Sequence, residues 1–257
     1  GCMLEYGNIT AFCHWYKKYY QVDHSSKIAA YASFGFDASM MDIYGAIANG
    51  AELHIIPEEI RLDFIALQRY FEENGVTHSF MTTQVGRQFA MEMSCESLQY
   101  LSIGGEKLVP MEPPKDYRFF NAYGPTECTI FTTIFEVDKY YSNIPIRKAL
   151  DNFKLYIADK FGHLLPYGAC GELMISGWQV SRGYLNKPEK TSEVYTKNIY
   201  DDAEGYEVLY HSGDVARYLP DGNIQIIGRK DSQVKVRGFR IELSEVEEVI
   251  RRYEGIK

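Results

Sequence analysis

The stretch RFFNAYGPTECTIF, Arg118–Phe131, decides how this chain is read. It opens on a short apolar strand, Arg118–Ala122, which the Gly124-Pro125 pair stops and turns. A turn needs only the Gly-Pro. Asn121, Tyr123, Thr126 and Glu127 add an amide, an aromatic ring, a hydroxyl and a carboxylate in close succession. So many functional groups at the end of one strand mark a candidate site.

Toward the N-terminus the pattern alternates between strands and helices. Lys27–Ser33 is a short apolar run that predicts a strand, and Met40–Asn49 a helix stopped at Gly50. Glu52–Ile56 predicts a strand ending at Pro57. Asp63 caps a helix through Phe71, with Gly75 just past its end. Val76–Phe80 predicts a strand, Gln84–Met93 a helix, and Leu98–Ile103 a strand ending in Gly104-Gly105. The fold class is therefore α/β, a parallel sheet with flanking helices. Ligands of such sheets bind beyond the carboxyl ends of the strands. Phe36-Asp37-Ala38-Ser39, Phe80, Gly104-Gly105-Glu106 and Tyr123–Glu127 are thus expected on one rim.

Toward the C-terminus the character changes. From Phe131 to Gly228 the signals are short strands with turns at Asp159–Gly162, Pro166–Gly168 and Pro220–Gly222, which predict a smaller antiparallel β subdomain or barrel. If Asp214–Leu219 pairs with Asn223–Gly228, Asp214 lies opposite Gly228 or Arg229. That pair reads either as a surface ion pair worth little, or as a carboxylate placed to accept hydrogen bonds from a sugar diol. Lys230–Ile241 is rich in Lys, Arg and β-branched residues, and Ser244–Glu247 forms a capping box that starts a helix.

The 257 residues are 46% hydrophobic and 24% charged, ordinary for a globular protein. No apolar run is long enough to span a bilayer. A net charge of -8 argues against nucleic-acid partners. Cys2, Cys13, Cys95, Cys128 and Cys170 are odd in number and form no CxxC pair, which fits free thiols in a cytoplasmic setting rather than a metal site. Gly1–Glu5 has no initiator Met and a helix is only starting near Lys257, so a segment of a larger chain is expected.

The motifs in order resemble the amino-acid adenylation domains of nonribosomal peptide synthetases, in the adenylate-forming superfamily. The matches are Phe36–Ser39, Asn121–Glu127, Gly171–Gly177 leading to Arg182–Leu185, Tyr210–Asp214 and Gly228–Glu242. The resemblance implies ATP-dependent activation of an amino acid as aminoacyl adenylate, with Mg²⁺. The acyl group then passes to the phosphopantetheine thiol of a carrier protein. Carrier and condensation domains, and a small MbtH-like activator, are the implied partners.

By this resemblance Tyr123 stacks on adenine and Asn121 meets its edge, with Gly104, Gly105 and Gly124 beside the nucleotide. Thr126 contacts the α-phosphate, Glu127 holds Mg²⁺, Asp214 holds the ribose hydroxyls and Arg229 lies beside it. Asp37 pairs with the substrate ammonium, although as a lone residue it reads equally as a helix N-cap. The side-chain pocket maps onto Asp37, Ala38, Met41, Phe80, Ser102, Gly104, Ala122, Ile130 and Phe131. This is an apolar cup with one hydroxyl, so an apolar substrate is expected, branched aliphatic first and aromatic second. Asp231 takes the hinge position. The implied division is 1–130 for the α/β unit, 131–229 for the β unit carrying the ribose carboxylate, and 230–257 for the hinge and an incomplete C-terminal subdomain.

The family's phosphate-gripping loop ends where Gly1 begins, and no residue here can be given the role of the family's C-terminal lysine. Arg147, Ala149 and Ser212 are smaller departures. Weak activity of these residues alone is expected. A ligase for an aryl acid, a fatty acid or D-alanine, and an inactive docking remnant, are the competing readings. Asp37 argues against a substrate without an amino group, and intact Tyr123, Glu127, Asp214 and Arg229 argue against decay.

Overall fold

The computed structural model describes residues 1–231, 233–236 and 239–251. Helix α1 (Tyr6–Tyr20) leads into a six-stranded sheet of order β2-β1-β3-β4-β5-β6. Its strands are β1 (Lys27–Ala30), β2 (Glu52–Ile55), β3 (His78–Thr82), β4 (Tyr100–Gly104), β5 (Arg118–Tyr123) and β6 (Thr133–Glu136). The first five in this order are parallel and β6 is antiparallel to β5. The sheet therefore runs past residue 130. Helices α2 (Ala38–Ile47), α3 (Phe64–Asn74) and α4 (Thr83–Glu92) connect the strands.

The local signals act as their chemistry requires. Asp63 accepts from the Ala66 amide as the N-cap of α3, and Gly75 ends that helix at φ 66°. Strand β3 starts two residues later than the apolar run predicts. Val76 still belongs to the helix exit, its amide bonded to the Phe71 carbonyl. Phe80 is consequently a mid-strand residue.

Helix α1 is not announced by the alternation read from the sequence. Its apolar side chains do recur at helical spacing, with Phe12, Cys13, Trp15, Tyr16 and Tyr20 buried. Glu5 and Asn8 close a capping box at its start. The aromatic and β-branched content, poor in propensity, hides it.

A second sheet is antiparallel throughout: β7 (Phe153–Ala158), β8 (Gly171–Gly177), β9 (Tyr195–Lys197), β10 (Val208–Tyr218) and β11 (Ile224–Arg229). A short helix, α5 (Pro188–Val194), precedes β9. Strands β12 (Gln233–Val236) and β13 (Phe239–Glu242) form a hairpin before α6 (Leu243–Arg251). Helix α6 starts one residue before Ser244, so Ser244 is inside the helix rather than its cap. Residues 232, 237, 238 and 252–257, all within the implied 230–257 unit, lie outside the description.

Two cores result from strand alternation. Phe80, Tyr100, Phe120 and Ala122 pack on one face of the sheet with α1. Met81, Leu101, Ile103 and Phe119 pack on the other. Among the described residues, no helix is long and apolar enough to cross a membrane, and all five cysteines are free.

Candidate active site

A cavity of about 530 Å³ opens at the carboxyl ends of β1, β3, β4 and β5, where it meets the second sheet. Asp37, Ala38, Phe80, Gly104, Ala122, Ile130 and Phe131 line one part of it. Gly105, Tyr123, Gly124, Thr126, Asp214 and Arg229 line another. Residues far apart in sequence thus share one wall, as the strand-end rule expects.

The turn after β5 is built for this. At Gly124 a Cβ would come within 2.2 Å of the Ile130 carbonyl oxygen and 2.6 Å of Phe131 Cα. Only glycine lets the loop fold back on itself so closely. Thr129 and Ile130 then take φ of 54° and 74°. Such values cost a β-branched residue about 1–3 kcal/mol. The Thr129 hydroxyl bonded to the Gln179 carbonyl at 2.7 Å, and the Thr132 amide bonded to the Tyr123 carbonyl at 2.8 Å, hold the strained turn. The result presents Ile130 and Phe131 to the same cavity as Tyr123 and Thr126.

Asp37 starts α2, yet its side chain makes no cap hydrogen bond. Its Oδ2 instead accepts from the Thr126 hydroxyl at 2.5 Å. The N-cap alternative for this carboxylate is therefore not realised. Asp37 is joined to the loop after β5 across 89 residues of sequence.

On the opposite side Asp214 pairs with Arg229 in the β10–β11 register. The Arg229 Nη1 donates to Asp214 Oδ1 at 3.0 Å, and Tyr123 donates its hydroxyl to Asp214 Oδ2. Arg229 also makes a two-pronged contact with Asp231, at 2.7 and 2.6 Å. The Asp214 and Arg229 side chains are 13% and 18% exposed, too enclosed for an ordinary surface ion pair. Burial, and next the Asp214 charge, push the Tyr123 phenol well above its usual range, so it stays a neutral donor.

Four expected site residues do not line the cavity. Asn121 lies on the sheet face opposite Ala122, is 5% exposed, and donates to the Pro145 carbonyl at 3.1 Å. Strand alternation forces this placement. Met41 is packed in the core. The Ser102 hydroxyl is bonded at 2.5 Å to that of Tyr20 on α1, both being buried. The single hydroxyl expected in the cup is thus tied up behind it. Glu127 is also buried, with Oε1 accepting from the Tyr184 hydroxyl at 2.6 Å and its carbonyl from the Ser181 amide.

Tyr20 and Tyr184 were not singled out by sequence. Tyr184 sits inside the Arg182–Leu185 motif, whereas Tyr20 had no signal beyond the helical spacing of α1.

Among the described residues no group of three or more His, Cys, Asp or Glu side chains forms a metal cage. One carboxylate, Glu127, suits Mg²⁺ only if phosphate oxygens and water complete the shell, which is how that ion usually binds nucleotides.

A parallel sheet facing an antiparallel one across such a cavity defines the class as adenylate-forming enzymes. The chain belongs to the AMP-binding enzyme family, whose model matches residues 1–185, and its relatives include nonribosomal peptide synthetases and their adenylation domains. Bacitracin synthase 1 of Bacillus licheniformis is 42% identical over 100% of this chain, which covers 5% of that protein. Surfactin synthase subunit 2 of Bacillus subtilis (strain 168) is 40% identical over 96% of this chain and 7% of its own length. Among solved structures, the Vibrio cholerae adenylation domain AlmE in complex with glycyl-adenosine-5′-phosphate has a TM-score of 0.81 at 27% identity, matching 97% of this chain and 49% of that one. Holo-PA1221, an NRPS protein containing adenylation and PCP domains, has a TM-score of 0.80 at 27% identity, matching 91% of this chain and 42% of its own. The chain therefore spans about half the length of these solved relatives and a small fraction of the curated ones.

Proposed function

We propose that the chain serves, within a larger synthetase, to activate an apolar amino acid with ATP. The observation that carries this reading is the joining of Asp37 to Thr126 in one cavity with Tyr123 and Asp214. A carboxylate at the mouth of an apolar cup favours a cation beside it, and an amino acid's ammonium supplies one. In the reaction a substrate carboxylate oxygen forms a bond to the α-phosphorus of ATP. The bond from that phosphorus to the bridging oxygen breaks, and pyrophosphate leaves.

Asp37 holds the ammonium, which points the substrate carboxylate toward Thr126 and the α-phosphate. Tyr123 offers a ring face to adenine, and Asp214 takes a ribose hydroxyl while Arg229 fixes it. Glu127, buried against the Tyr184 hydroxyl, would hold Mg²⁺ once its carboxylate turns toward the cavity, and the ion would neutralise phosphate charge when bound. Ala38, Phe80, Gly104, Ala122, Ile130 and Phe131, the residues assigned to the side-chain cup, carry no charge, which favours an apolar side chain; Glu58 and Arg61 line the same cavity. The acyl group is then delivered to a carrier-domain phosphopantetheine thiol. Carrier and condensation domains, with an MbtH-like activator, are the proposed partners.

The test is binding of a non-hydrolysable aminoacyl adenylate analogue against its des-amino counterpart. The amino form binds at least about tenfold tighter if Asp37 meets the ammonium, as a charge-assisted hydrogen bond requires. Equal binding would overturn the amino-acid reading in favour of an aryl or fatty acid. No binding at all would favour a docking remnant. These 257 residues alone are proposed to form adenylate slowly; parent-like single-turnover rates would contradict that.

A further inference from the structure

The nucleotide-facing wall includes one residue of the Gly228–Glu242 motif to which the resemblance assigns no role. Gln233, the first residue of β12, lies two positions beyond Asp231. It is 5% exposed, yet it lines the cavity beside Tyr210, Ser212, Asp214 and Arg229. Its side-chain Oε1 is fully enclosed, and no donor among the described residues reaches it. A buried amide oxygen without a donor costs about 1–3 kcal/mol, which a ligand donor would relieve. Its backbone is fixed, the amide donating to Asp231 Oδ1 at 3.1 Å. Asp231 in turn grips Arg229, and Arg229 grips Asp214.

We infer that Gln233 is a second acceptor for the ribose of the bound nucleotide. This rests on the adenylation reading above. A ribose diol offers two O–H donors. Asp214 accepts from Arg229 on one oxygen and from Tyr123 on the other, which leaves about one lone pair on each for the diol. A second acceptor on the same wall lets the two hydroxyls go to two different residues. Because Gln233 lies beyond Asp231, nucleotide binding also ties the β12–β13 hairpin to the ribose site. Emptying the site releases that tie, and the chain Gln233–Asp231–Arg229–Asp214–Tyr123 is the path that links them.

The experiment titrates AMP, 2′-deoxy-AMP and 3′-deoxy-AMP into the whole synthetase module, comparing wild type with Gln233→Met and Gln233→Glu. Methionine keeps the length and removes the acceptor; glutamate keeps an acceptor oxygen. For wild type, losing the hydroxyl that Gln233 takes weakens binding about tenfold. Gln233→Met weakens AMP by a similar factor and no longer discriminates against that deoxy nucleotide. Gln233→Glu retains the discrimination. Should the methionine variant unfold in a thermal melt, Gln233→Leu replaces it, and the glutamate variant still carries the comparison. Equal AMP affinity in wild type and Gln233→Met would overturn the inference. So would equal discrimination against both deoxy nucleotides in the two proteins, since a buried water then satisfies the oxygen. Failure of wild type to bind AMP would instead sink the adenylation reading itself.

Discussion

Tyr20→Phe is the most informative single change behind the pocket. It deletes one oxygen from the Tyr20–Ser102 pair, whose hydroxyls are 2.5 Å apart. The two residues are 2% and 3% exposed, so water cannot replace the lost partner. The ring stays where it is, held by edge contacts with Trp15, Tyr19, Tyr100 and Phe120. The variant therefore reports on the hydrogen bond and not on packing. Leaving the Ser102 hydroxyl buried and unmet costs about 1–3 kcal/mol. Ser102→Ala strands the phenol at a similar cost. Replacing both partners by apolar groups of similar shape removes the stranded groups together and is nearly neutral.

The double variant Tyr20→Phe/Ser102→Ala should thus be more stable than either single one, with a coupling of about 1–2 kcal/mol. In urea, a loss of about 2 kcal/mol lowers the midpoint by roughly 1 M, and the double variant recovers most of it. Additive losses in the double variant would refute the reasoning. They would mean that the two hydroxyls do not depend on each other.

Gly124→Ala should cost about 3 kcal/mol and abolish adenylation, because the added Cβ meets backbone atoms that cannot rotate away. Gly7→Ala, where nothing lies within 4 Å, is the control and should be neutral or slightly stabilising in a thermal melt. Asp214→Asn should raise the KM for ATP about tenfold and leave that for the amino acid nearly unchanged, since it weakens one ribose contact. Glu172 gives a pH dependence. Burial alone would raise its carboxyl, but hydrogen bonds from His211 and Lys230 outweigh burial and hold it below 4.5. A carboxyl lowered in the folded state adds stability above its unfolded value, and that stability is lost as pH falls through the folded one. Denaturation midpoints at pH 7 and below pH 4 should therefore differ more for wild type than for Glu172→Gln.

Much of this was legible because local chemistry and fold agree. The Asp63 cap, the Gly75 stop and the Asp214–Arg229 register each follow from short-range rules, and each stands in the structure. Strand spacing also placed Asp37, Phe80, Gly104 and Tyr123 on one rim. What escaped was set by orientation rather than position. Asn121 and Ala122 are neighbours, and the pleat sends them to opposite faces. Ser102 occupies a pocket position by pattern, but a tyrosine 82 residues earlier claims its hydroxyl. The positive φ at Thr129 and Ile130 had no sequence signal, since neither residue favours it.

The central claim is amino-acid adenylation, and amino-acid-dependent exchange of pyrophosphate into ATP by the parent synthetase tests it most directly. Across a panel of amino acids, exchange should appear only when an amino acid is added. It should be fastest with branched aliphatic side chains, slower with aromatic ones, and near background with Asp, Glu, Lys and Arg. Exchange driven by a carboxylic acid lacking an amino group, or fastest with a charged amino acid, would contradict the account.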